Sequence, residues 1–373
     1  MNRREFLKGA AAVAAVPSIA WARQDIPKVD DATLTRIEGS PRERGRLYGQ
    51  KFRQKIHAFL EQEIYKPAEK KLGREPMMRY ADAVLKKVRG FSPVVADEIE
   101  GIAEGTGLRV EEVTLINLHE EIGHAKFIPK VEKCTALAAG PPDTRDGQTY
   151  VGQNWDWMLS VYGWAQMLYW KRSEGPSVLG YAYPGLWIGA GLNSAGLALC
   201  WTWGGQVGID APNVGIPSYA LLTHMLYQDS LKAALAEARR AGHAGWFNFV
   251  LGDAQGNLAV VEGTPKELVV EETRGHKARA DYASRQITKA PEGKPIPMHR
   301  DCARMFELLS EGKGALDEAK LKGFFADHKA SICKHPKDGA MTLDSMLFNC
   351  TKREAHVNRG PGCSGRWRTF RFD

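Results

Sequence analysis

Apolar residues recur at helical spacing through residues 32–126, with polar residues filling the intervals. In SPRERGRLYGQKFRQKIHAFLEQEI, Ile56, Phe59, Leu60 and Ile64 share one face, and Ser40 stands where an N-cap belongs. SPVVADEIEGIAEGTGL repeats the arrangement, with Ser92 as cap, Pro93 at the first helical position and Gly107 near the end. RVEEVTLINLHEEIG predicts a third helix. At Cys134 the period changes. CTALAAG and TYVGQNWDW read as strands separated by the turn-forming run PPDTRDGQ. PSVLGYAY, LWIGAGLN and GLALCWTW are further strand candidates. One helix is expected over PSYALLTHMLYQDSLKAALAEARRAG, then strands WFNFVLGD and LAVVEGT joined by a turn at Ala254-Gln255-Gly256-Asn257. A helical stretch from about His299 to His328 precedes strand character in MTLDSMLFN, EAHVNRG and WRTFRFD. This order predicts an α+β fold built on mainly antiparallel strands.

The first 22 residues stand apart from this pattern. Arg3-Arg4-Glu5-Phe6-Leu7-Lys8 is a twin-arginine motif, Gly9 to Ile19 is apolar, and Ala20-Trp21-Ala22 fits a small-x-small cleavage site. The apolar stretch is too short to span a bilayer, so no stable membrane anchor is expected. The expectation is an exported bacterial protein, periplasmic or secreted, mature from about Arg23. The 373 residues are 43% hydrophobic and 25% charged, which suits an enzyme-sized globular chain. A net charge of +7 is spread along the chain rather than gathered in one arm, and that argues against a nucleic-acid partner.

Several motifs fail on spacing. HEEIGH places His119 and His124 five apart, about 140° around a helix, whereas two helical zinc ligands need a separation of four. A surface or packing pair is expected instead. GAGLNSAG lacks the order of a dinucleotide loop and reads as a β-turn supported by Asn193. The sequence contains neither GxSxG nor a P-loop. The six cysteines (Cys134, Cys200, Cys302, Cys333, Cys350 and Cys363) include no CxxC pair, so no metal or organic cofactor is implied. Disulfides among the last four are permitted by an exported location.

Cys134 begins a strand directly after the helical half. A buried, inert core cysteine is one reading. Another is the N-terminus of a second polypeptide, where a thiol sits beside its own α-amino group. That amine, with an ordinary pKa of about 8, can act as base without a histidine. Asn154 and Asp156, two apart on one face of the paired strand, are placed to hold amine and nucleophile, while Trp155 and Trp157 face the core. A cysteine peptidase using Cys134 with His119 or His335 is a further reading.

GSPRERGRLYGQ, DEIEGIAEGTGLRVEEVTLIN, CTALAA…GQTYVGQNWDW, GLNSAGLAL, SICKH and GAMTLDSMLFN occur in the order seen in the acyl-coenzyme A:6-aminopenicillanic acid acyltransferase family, the C45 group of N-terminal-nucleophile hydrolases, which this chain resembles. The resemblance implies a four-layer αββα sandwich and a precursor that cuts itself between Lys133 and Cys134. It implies an α chain of residues 23–133 and a β chain of residues 134–373, one compact domain together. Cys134 would be the nucleophile toward a small-molecule amide substrate, Asp156 would orient the new amino group, and Asn154 is its neighbour in the motif. The family's His-Thr-Asn-His type segment corresponds to ARADYAS, which puts Asp281 where the oxyanion-hole Asn stands. A carboxylate donates there only when protonated. The family's Arg has no direct match; Gly339 falls near its place, with Lys334 and Lys337 as nearby cations. An uncut, non-catalytic binding protein of the same fold is the alternative.

Overall fold

The computed structural model describes residues 26–123, 134–185, 188–204, 213–280 and 299–373. Two sheets form its centre. The larger runs in the order β1 (Leu34–Glu38), β4 (Gln166–Lys171), β5 (Val178–Ala182), β6 (Ala190–Asn193), β7 (Ala198–Trp203), β8 (Phe247–Gly252), β9 (Leu258–Gly263), β10 (Leu268–Thr273). The smaller runs β11 (His276–Ala280), β2 (Thr135–Ala139), β3 (Tyr150–Met158), β12 (Ala340–Asn349), β13 (Glu354–Arg359), β14 (Trp367–Arg371). Every described strand pairing is antiparallel except β1 with β4, which is parallel with Leu34 opposite Met167.

The helices are α1 (Pro41–Phe59), α2 (Lys66–Leu72), α3 (Arg74–Phe91), α4 (Pro93–Thr106), α5 (Val110–Asn117), α6 (His119–Gly123), α7 (Ser218–Leu226), α8 (Leu231–Arg240), α9 (Arg300–Glu311) and α10 (Glu318–Phe324). β2 and β3 face β7 and β8 across the interior. α9 covers β2 and β11, α10 covers β12, and α7 covers β6 and β7, with α8 packed on α7. The result is the expected four-layer αββα sandwich. Strand residues buried on both faces explain why β2, β5 and β8 read as near-continuous apolar runs.

α1 and α4 cross almost backbone to backbone. A Cβ at Gly45 would lie 2.1 Å from the Glu98 carbonyl oxygen, and one at Gly101 would lie 2.1 Å from that of Arg42. Gly49 and Gly105 extend the same contact. Beside it the fully buried Arg44 pairs with Glu98 at 2.6 Å, and Glu98 also accepts from Trp170 Nε1 and Tyr227 OH, both at 2.9 Å. The cluster ties both helices to β4 and to the end of α7.

The caps at Ser40 and Ser92 form, donated to by the backbone N–H groups of Glu43 and Val95, and Gly107 ends α4 in the left-handed region. Three helical stretches differ from the sequence reading, and four strands were absent from it. The third helix breaks at Leu118 into α5 and α6. The helix expected from Pro217 onward splits where Ser230 caps α8. The stretch from His299 to His328 is two helices, α9 and α10. β1, β4, β10 and β11 were not anticipated. Asn193 supports its turn as expected, its Oδ1 accepting from the N–H groups of Ala195 and Leu197. Among the described residues no helix is long and apolar enough to cross a membrane.

Candidate active site

β2 begins immediately after Cys134, and its register with β3 places Thr135 opposite Asn154. Paired residues share a face, so Thr135, Asn154 and Asp156 project toward α9 and α10. Their contacts agree. Asn154 Nδ2 donates to the carbonyls of Phe325 (3.1 Å) and Ile332 (2.8 Å), and Thr135 Oγ1 donates to Asp301 Oδ2 (3.0 Å). Cys134, 1% exposed, lies instead in the inter-sheet core with Trp155 and Trp157. It is near enough to Tyr183, Tyr219 and Cys200 for a charge on it to raise their pKa values, all already pushed up by burial.

The two expected partners of Cys134 therefore sit on the opposite face from its thiol. Asp156 joins a buried charged group there. Lys334 Nζ donates to Asp156 Oδ2 at 2.5 Å and stands 3.5 Å from Asp301 Oδ2. Thr342 Oγ1 donates to the other Asp156 oxygen at 2.5 Å. Burial raises the Asp156 carboxyl above its ordinary value, while Lys334 and Thr342 act in the opposite sense. Asp301, fully buried at the start of α9, also meets His299 Nδ1 at 2.6 Å and accepts from the Cys302 N–H. Two carboxylates, one ammonium and two hydroxyls thus gather one residue along the chain from Cys134.

On the thiol side the shell is aromatic. Trp155 packs with Trp157, Tyr181, Tyr183 and Trp201, and Trp201 meets Tyr219. Gln153 Oε1 accepts from the Trp201 backbone N–H (2.9 Å). Its Nε2 and the indole N–H groups of Trp155 and Trp201 are buried without a hydrogen-bond partner among the described residues. Unpaired buried donors are costly, and such groups commonly mark where a ligand or ordered water completes a site. A carbonyl oxygen supplied by a substrate would satisfy one.

Asp281 lies outside the described residues, as do Lys133 and His124. β11 is described as far as Ala280, which pairs with Thr135. His119 packs between the rings of Phe59 and Trp157 and meets Glu120, which bears out a packing role. His335 stands against Cys363 and His328. Of the cations near the place of the family's Arg, Lys334 is the one that meets Asp156. The sequence reading did not find Asp301, Thr342 or Gln153. Gln153 and Thr342 carried a local signal, lying inside the GQNWDW run and the GAMTLDSMLFN block.

The sequence model described as acyl-coenzyme A:6-aminopenicillanic acid acyl-transferase matches residues 143–360, and one for a twin-arginine translocation signal matches residues 1–20. The chain is 25% identical over 294 residues to the 40 kDa form of acyl-coenzyme A:6-aminopenicillanic-acid-acyltransferase of Emericella nidulans, covering 77% of this chain and 80% of that protein. A variant of conjugated bile acid hydrolase from Clostridium perfringens aligns at 15% identity with a TM-score of 0.41, over 64% of this chain and 97% of the other. Penicillin V acylase from Agrobacterium tumefaciens aligns at 12% identity with a TM-score of 0.42, over 61% and 83%. With its translocation signal and a family match spanning more than half its length, the chain is an exported member of the acyl-coenzyme A:6-aminopenicillanic acid acyl-transferase family.

Proposed function

We propose that this protein is a self-processing cysteine amidohydrolase of the N-terminal-nucleophile type, acting in the periplasm or outside the cell on an N-acyl compound or small peptide. The observation that carries the reading is the position of Cys134. It heads a buried strand, with its thiol on an aromatic, donor-lined side and a buried carboxylate pair one residue away on the other.

In the processing step the Cys134 thiol attacks the Lys133 carbonyl. The peptide C–N bond breaks, the acyl group passes to sulfur, and the Cys134 nitrogen becomes a free amine. Water then hydrolyses the thioester and returns the thiol. The new amine serves as base for the thiol in turnover. The thiolate adds to a substrate carbonyl, the amine hands its proton to the leaving nitrogen, and water or a second amine releases the acyl-enzyme. Asp156 and Asp301 would receive the new ammonium, which would compete with Lys334 for them. Gln153 Nε2 and the two indole N–H groups are candidate donors to the substrate carbonyl. The aromatic shell favours an apolar acyl group. Hydrolysis is favoured over acyl transfer because the periplasm offers little acyl-coenzyme A.

Intact mass and N-terminal sequencing of the wild type beside Cys134→Ala test the reading. Two fragments are expected from the wild type, residues 23–133 and 134–373, the second beginning Cys-Thr-Ala-Leu, and one chain from the variant. Two folded, uncut proteins would instead leave a non-catalytic binding protein.

A further inference from the structure

We infer that this protein holds a structural zinc ion between His328, Cys333, His335 and Cys363. The ligand atoms of these four side chains all lie within 4.8 Å of one another. His335 Nε2 is 3.1 Å from His328 Nε2 and 3.2 Å from Cys363 Sγ. Around a tetrahedral zinc with Zn–S of about 2.3 Å and Zn–N of about 2.0–2.1 Å, neighbouring ligand atoms stand roughly 3.3–3.8 Å apart. These two separations fall within a few tenths of an ångström of that tetrahedron, and no pair of the four ligand atoms is farther apart than 4.8 Å.

The donor set is complete in itself. Two thiolates and two neutral imidazoles balance the charge of Zn²⁺, with the two thiol protons leaving to solvent on binding. Four protein ligands leave no open position, which makes the site structural rather than catalytic. Cys333 is buried and His328 is exposed, so the site has a closed floor and an entry side. The backbone is bent to reach it: Ala330 and Ser331, between His328 and Cys333, have φ of 53° and 63°. Two consecutive non-glycine residues in the left-handed region are strained, and such strain persists only where surrounding structure enforces it. The spacing, His-x4-Cys-x-His and then Cys363, contains no CxxC signature, and this hid the cluster from sequence inspection.

The site would clamp Lys334 from both sides, since its neighbours Cys333 and His335 are both ligands. Lys334 is the cation on Asp156. The twin-arginine route exports chains that have already folded, so the thiols meet metal in a reducing compartment before they meet an oxidant.

The full exported chain, purified without chelator or thiol, is analysed by elemental mass spectrometry and by native and denaturing mass measurement. The same is done in Cys134→Ala, so the result is independent of self-cleavage. About one zinc per chain with all thiols reduced is the expected result. His335→Ala and Cys363→Ser should each weaken zinc binding by 10-fold or more. In case those variants misfold, cobalt exchange into the wild type gives a second reading: thiolate-to-cobalt charge transfer with intense tetrahedral d–d bands supports the site. A metal-free chain overturns the inference, whether Cys333 and Cys363 are joined in a disulfide or both reduced. So does zinc retained at full occupancy in a folded Cys363→Ser.

Discussion

Replacing Lys334 with methionine removes the only ammonium the described structure sets against Asp156, and it is most cleanly done in a Cys134→Ala background where every molecule is one chain. At an effective dielectric of about 20, separations of 2.5 Å and 3.5 Å correspond to gross attractions of about 7 kcal/mol to Asp156 and about 5 kcal/mol to Asp301. Desolvation of the buried charges offsets much of that, and removing one partner of a buried pair ordinarily costs about 3–5 kcal/mol. Protonation sets a ceiling. Starting from an ordinary Asp value near 3.9, placing a proton on Asp156 costs about 4 kcal/mol at pH 7 and about 1.5 kcal/mol at pH 5. A folded protein with an unpaired carboxylate can always take that route. The Lys334→Met deficit should therefore be about 3–4 kcal/mol at pH 7 and about 1.5 kcal/mol at pH 5, read as the shift in urea unfolding. The sign follows from Asp156. Burial already raises its folded pKa, and losing Lys334 raises it further. Stability from such a group is intact below its unfolded value and is lost as pH climbs through the folded one, so the deficit widens with pH. Equal deficits at pH 5 and pH 7 would refute the reasoning.

Asp156→Asn keeps the shape but loses the negative charge that would hold the new ammonium, and should lower turnover of an N-acyl amide by on the order of 10²-fold while a Cys134 N-terminus still appears by mass spectrometry. Gly45→Ala drives a methyl into the Glu98 carbonyl and should cost about 1–3 kcal/mol or more by denaturant unfolding; an unchanged midpoint would mean the helices part easily. Arg44→Met strands the buried Glu98 and should lower stability by about 3–5 kcal/mol in the same assay.

Where the chain's pattern is strong and its burial complete, sequence reading located the elements. β2, β7 and β8 fell within the quoted strand candidates, and β3 and β12 each overran theirs by one residue. Two of the four missed strands have a physical reason. β1 is five residues long with buried and exposed positions alternating, and β10 is only partly covered along its length. Both are edge strands, whose pattern is diluted by solvent. The helix break at Ser230 turned on a single side chain capping Ala233 N–H inside a continuous apolar period. At the site, the spacing of Asn154 and Asp156 was legible because strand alternation is local. Lys334 was singled out as a nearby cation, but its pairing with Asp156, 178 positions away, is made only by the tertiary fold. The α1–α4 glycines stood in the quoted family blocks, but their reason, contact with a carbonyl on another helix, appears only in three dimensions.

The parallel pairing of β1 with β4 joins a strand that precedes Cys134 to one that follows it. If the chain is cut between them, one sheet holds backbone from two molecules, and unfolding becomes a dissociation. Refolding would then require two dilute fragments to meet, outside the compartment where the precursor first folded as one chain. The working lifetime of the exported enzyme would be set by its unfolding rate rather than by an equilibrium constant, and each molecule would have a single folding event behind it.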